Sequence, residues 1–161
     1  VEGVLFKVLR YQFERKSEIF RDMFSLLQGT QDAEGNKDEN PIKLEGVSAT
    51  EFRHLLKVLY PPPISNDSAS FDITDEEWKS ILKLATLWRF LEIRKLAIGK
   101  LTNCPSMQTV EKILLGRKYF IADWIKSAYS QLVIQTQTPS IADLDRLGCF
   151  ASVRILCLRE E

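Results

Sequence analysis

ENPIKLEGVSATEFRHLLKVLYPP, residues 39–62, is the most sharply punctuated stretch of the chain. Ile42 and Leu44 alternate with Lys43 and Glu45, the period of a short strand with one buried face. Ser48-Ala49-Thr50-Glu51 follows as a capping box, in which the serine oxygen and the glutamate carboxylate each satisfy a free backbone amide at a helix start. Phe52, Leu55, Leu56 and Leu59 then recur at helical spacing, and Pro61-Pro62-Pro63 cannot continue the helix. A strand running into a capped, abruptly stopped helix is a firm scaffold, and nothing in it has the look of a catalytic centre.

Working outward, Val4, Phe6 and Val8 fall on one side at period two after the turn signal Glu2-Gly3, which predicts an earlier strand. Residues 10–16 read as a short helix or turn with Tyr11 and Phe13 pointing inward. Ser17 can cap the next helix, whose stripe is Ile19, Phe20, Met23, Phe24 and Leu27, and Gly29 ends it. Residues 30–40 are polar and read as a flexible surface loop, and 61–73 as a second loop. Thr74-Asp75-Glu76-Glu77 is another capping box, opening a helix with Trp78, Ile81, Leu82, Ala85 and Leu87. A break near 88–91 leads to Ile93, Leu96, Ala97, Ile98 and Leu101, which makes a helical hairpin. Beyond Pro105 the pattern is helical throughout, with stripes Val110, Ile113, Leu114, Tyr119 and Trp124, Ala128, Leu132, Val133, then short segments at 141–147 and 151–158. Few strands early and many helices later predict an α+β fold, a small sheet with packed helical hairpins and an all-helical C-terminal extension. Phe20, Phe24 and Leu56 are expected in its core.

The 161 residues suit one domain, or one with a helical extension, and are enough to bury a core without disulfide or metal staples. Lys plus Arg and Asp plus Glu both number 22, so the formal net charge is zero. That balance argues against a surface that tracks nucleic-acid phosphates. The densest cations, Arg89, Arg94, Lys95 and Lys100, are interleaved with Leu and Ile and read as a solvated helix face. No apolar run is long enough to span a membrane, and no signal peptide is evident. Cys104, Cys149 and Cys157 are odd in number and form no CxxC; Cys149 and Cys157 are expected as small buried hydrophobes. Reduced thiols fit a cytoplasmic or nuclear protein. The sequon Asn66-Asp67-Ser68 is weak evidence for secretion.

Catalysis needs a nucleophile, base or metal within mutual reach. His54, the single histidine, sits at a polar helix position without a GxSxG elbow and is expected to be exposed. The cysteines are too far apart for a zinc site, and residues 32–39 resemble a calcium loop in composition only. There is no P-loop and no GxGxxG. No cofactor is expected. An enzyme using His54 with a Ser or Cys is the remotest of the readings. Pro61-Pro62-Pro63 reads as a helix stop and rigid spacer rather than as a ligand for a proline-recognition module.

Three blocks in order carry a resemblance: SEIFRDMF at 17–24, IKLEGV at 42–47, and EFRHLLKVLY at 51–60. With residues 1–101 as a whole they resemble a BTB/POZ domain, more narrowly the BTB domains common in fungal proteins. The resemblance implies domains at 1–103 and 104–161, the second a helical extension, with the family's first strand placed before Val1. It implies a protein–protein interaction module that self-associates, acts as an adaptor for a cullin-type ubiquitin ligase, or both. The alternative is the dimerisation domain of a transcriptional regulator. Expected partners are therefore proteins, a second copy of the chain or a cullin-type scaffold, with neither nucleic acid nor membrane. Leu9 stands where the family's F-x-V-H pattern has His. The candidate protein-binding residues are Val4, Phe6, Tyr11, Phe13 and Tyr60, with Ile64 and Phe71 on the proline loop.

Overall fold

The computed structural model describes residues 1–26, 34–35, 37–61 and 73–160. The expected loop at 61–73 falls largely outside the described residues, as does the sequon, and the loop at 30–40 falls outside them in part. Two compact units divide the chain, Val1–Leu101 and Thr102–Glu161.

In the first unit α1 (Arg10–Lys16) and α2 (Glu18–Leu26) are followed by α3 (Ala49–Leu59), α4 (Asp75–Leu87) and α5 (Leu91–Thr102), the last residue of α5 opening the second unit. Both predicted capping boxes form. Ser48 and Glu51 exchange bonds at the start of α3, and Thr74 and Glu77 do so at the start of α4. The two capping glutamates also reach across to the neighbouring helix: Glu51 meets Lys83 of α4 at 2.5 Å, and Glu77 meets Lys57 of α3 at 2.5 Å. The start of each helix thus lies against the later part of the other, so the pair is antiparallel.

An aromatic cluster fills the core of this unit. The Phe13 ring lies 4.8 Å from Phe20, 5.8 Å from Phe90 and 6.1 Å from Phe52, and Trp88 closes on Phe20 at 5.3 Å. Leu55, Leu59, Ile81 and Leu82 are buried at the helix positions predicted for them, and Leu84, outside the predicted stripe, is buried as well. Phe20 and Phe24 are core residues as expected, whereas Leu56 is half-buried, and Leu87 and Leu96 face outward.

The expected α+β architecture is not what forms. Among the described residues there are helices and no strand, so the small sheet is absent. Residues 4–9 and 41–45 form no regular element, and neither belongs to a ladder. Both instead line a cleft of about 830 Å³. Alternation reports a local side-chain period; a strand exists only when a second segment supplies its hydrogen bonds. Phe6 is half-buried by ring packing on Phe52, and the alternation survives without the pairing.

The second unit contains α6 (Thr109–Tyr119), α7 (Ala122–Ile134), α8 (Ile141–Leu147) and α9 (Cys149–Glu160). Its core joins Val110, Ile113, Ala128, Leu132, Leu147 and Ile155. Between α6 and α7 the chain turns at Phe120, which takes a left-handed φ of 56°. Gly116 permits the close helix approach: a Cβ there would lie 2.9 Å from Cγ1 of Ile125 and 3.3 Å from the Ile121 carbonyl. The Trp124 indole donates to the Thr102 hydroxyl at 2.7 Å, which satisfies its one polar atom in a buried setting.

Candidate protein-binding surface

Residues 1–9 lead into α1 from a turn at Glu2-Gly3, where the Glu2 carboxylate accepts from the Ala49 amide of α3 at 2.9 Å, and Phe6 is the aromatic anchor of the segment. Its ring meets Phe52 edge-to-face at 4.8 Å, and the Arg53 guanidinium lies 5.6 Å from its centre. The end of the segment is fixed at the backbone, where the Tyr60 hydroxyl donates to the Leu9 carbonyl. Burial pushes the Tyr60 phenol above its ordinary pKa, so it remains a donor across the physiological range. Held at Glu2, Phe6 and Leu9, the segment leaves Val4, Leu5, Val8 and Leu9 exposed, Leu9 to 73%.

Tyr11, on the first turn of α1, extends the strip and is 60% exposed. Arg15 donates to its hydroxyl at 3.2 Å and lies over its ring at 5.9 Å. Phe13 is only 3% exposed and forms the centre of the aromatic core. The expectation that Tyr11 and Phe13 both point inward therefore fails for Tyr11. Residues two apart on a helix diverge by about 200°, so a helical segment can bury one of them and must present the other. Phe6 and Phe13 both pack on Phe52, and the Phe13 and Tyr60 rings lie 6.4 Å apart, so three of the candidates share one aromatic cluster. Ile64 and Phe71 lie outside the described residues.

Leu5 and Leu9 were not among the sequence candidates. A strand reading assigns them to the face opposite Val4, Phe6 and Val8, and only the absence of pairing makes both faces accessible. Two other expectations are corrected. His54 is half-buried, with Nε2 3.6 Å from the Glu77 carboxylate and Nδ1 buried without a hydrogen-bond partner. Cys149 and Cys157 are exposed on α9, since the buried stripe of that helix runs through Ser152 and Ile155.

Glu51 and Glu77 dominate the electrostatics of the α3–α4 pair. Burial raises the Glu51 carboxyl, but hydrogen bonds from Lys83 and from Ser48 outweigh it and hold the group below the usual carboxylate range. At Glu77 the Lys57 hydrogen bond, then the Thr74 amide, lowers the carboxyl against a smaller burial effect. These carboxylates are poised as anions that join two helices, which suits a rigid support. A proton-donating acid would need the opposite shift.

Among the described residues no group of three His, Cys, Asp or Glu side chains could hold a metal ion. None of the described helices is long and apolar enough to cross a membrane. The family model described as the BTB/POZ domain matches residues 1–104. No curated protein and no solved structure matches the chain.

Proposed function

The chain belongs to the BTB/POZ family, a family of protein–protein interaction modules, and on that premise we propose that it self-associates and serves as an adaptor for a cullin-type ubiquitin ligase, in the cytoplasm or nucleus. In this reading residues 1–103 are the interaction module and 104–161 a helical extension. The observation that supports it most directly is the exposed apolar strip of Val4, Leu5, Val8, Leu9 and Tyr11 on a segment anchored at Phe6 and Tyr60. Exposed apolar side chains concentrated on one short segment mark an interaction site, and the anchoring limits the ordering cost of using them.

Sedimentation velocity of the full chain over a range of concentrations tests the proposal. We expect a reversible monomer–dimer equilibrium that the double substitution Leu9→Glu, Tyr11→Glu moves to monomer. Its melting temperature should stay unchanged, because both side chains already face solvent. A wild-type chain that stays monomeric throughout, or association indifferent to the double variant, would remove self-association through this strip. Co-migration with a purified cullin tests the adaptor role separately, and its failure beside intact self-association would favour the dimerisation domain of a transcriptional regulator.

A further inference from the structure

The second unit carries its own recognition surface, beyond the reading just given. Between α7 and α9 runs a groove of about 620 Å³ whose walls are mostly apolar. Phe150 and Ile134 on its rim are 83% and 80% exposed, and Val133, Ile155 and Leu158 form much of the rest. On α9 the lining residues 150, 151, 154, 155 and 158 follow one face. That face is about 12 Å long at the helical rise of 1.5 Å per residue. A trough of this length and character matches the apolar stripe of a short amphipathic helix, anchored at i, i+3 or i+4, and i+7.

Charge selects among such helices. Two arginines line the groove, Arg117 and Arg154, and among the described residues no Asp or Glu does. Arg117 is held ready: one of its amino groups donates to the Leu147 carbonyl at 2.9 Å, the other to the Tyr129 hydroxyl, and neither partner neutralises it. Neither arginine forms an ion pair with a described carboxylate. A second copy docking through this same face by a two-fold axis would bring these cations toward their own copies, which costs affinity. We infer that the groove between α7 and α9 docks an acidic amphipathic helix of a partner protein, its apolar face against Phe150 and Ile134 and its carboxylates on Arg117 and Arg154.

A displayed library tests this on the full chain. Its members are helices of about 15 residues, the length near which isolated helices become stable, with a fixed apolar stripe and either Glu or Lys at every flanking position. Selection should enrich Glu. A synthetic copy of the best binder should lose binding to the Phe150→Ser chain, and on the order of tenfold in affinity to the Arg154→Glu chain. Both side chains are exposed, so the melting temperature should hold in each variant and separate lost binding from lost folding. Enrichment of Lys, charge-blind binders, no binders, or binding indifferent to Phe150→Ser would each overturn the inference. So would a self-associated chain that Phe150→Ser alone converts to monomer, which would make a second copy the occupant. The strip on residues 4–11 is untouched by these variants, so failure here is separable from failure of self-association there.

Discussion

Ser17 is wholly buried, and its hydroxyl serves two elements at once. It accepts from the Phe20 amide at 3.2 Å, which caps α2, and donates to the Trp88 carbonyl at 2.5 Å, which ties α2 to the turn after α4. Replacing Ser17 by Ala removes both bonds inside a packed region that leaves little room for water. The expected cost is about 1–3 kcal/mol, from a lost cap and newly unpaired buried groups, read as a shift in the urea midpoint at unchanged slope. A loss below about 0.5 kcal/mol, the level of ordinary surface changes, would mean that solvent reaches the site. Half of this role is legible in the sequence: a serine before an apolar helical stripe announces an N-cap. The bond to Trp88 spans 71 residues, and no local pattern encodes it. Phe120 shows the same limit from the other side, since a bulky aromatic in the left-handed region follows from the α6–α7 turn and not from its own preference.

At the scale of elements, the α3–α4 pair is where sequence reading reached furthest. Each capping box is written in four consecutive residues, so it can be recognised from spacing alone. What spacing could not show is that Glu51 and Glu77 act twice, each capping its own helix and pairing with a lysine of the other, 32 and 20 residues away. Because both carboxyls lie below their ordinary value in the folded chain, they bind protons less readily there than when unfolded. The stability they contribute is therefore complete above the unfolded-state value of about 4.3, and is lost as pH falls through the lowered folded-state values. Thermal melts from pH 7 down to 3 should show an acid limb that flattens in the Glu51→Gln, Glu77→Gln double variant. At pH 7 a double-mutant cycle on Lys57 and Glu77 should give a coupling of about 0.5–1 kcal/mol, the upper part of the range for partly exposed pairs. An acid limb of equal steepness in the variant would place the sensitivity in other carboxylates.

For the molecule as a whole, helix content was legible and the sheet was not, and the difference is one of range. Helical stripes such as Phe52, Leu55 and Leu59, or Trp124, Ala128 and Leu132, are confirmed as buried because the helix closes its hydrogen bonds within the same few residues that carry the pattern. Residues 4–8 and 42–45 carry an equally clear alternation, yet a strand depends on where a distant segment lies, and here both segments border a cleft. The same circumstance leaves Leu5 and Leu9 open, so the misread sheet and the missed half of the exposed strip have one cause. Hydrogen exchange distinguishes the two architectures directly. Amides paired in a ladder open only with local or global unfolding, whereas extended backbone outside a ladder exchanges at nearly the rate of a free peptide. In the dilute full chain, amides of 5–8 and 42–45 should exchange early, while those in the middle of α3, α4 and α7 persist far longer. Protection of 5–8 equal to that of α3 at dilution would require a paired strand there, and the strip would then lose one of its two accessible faces.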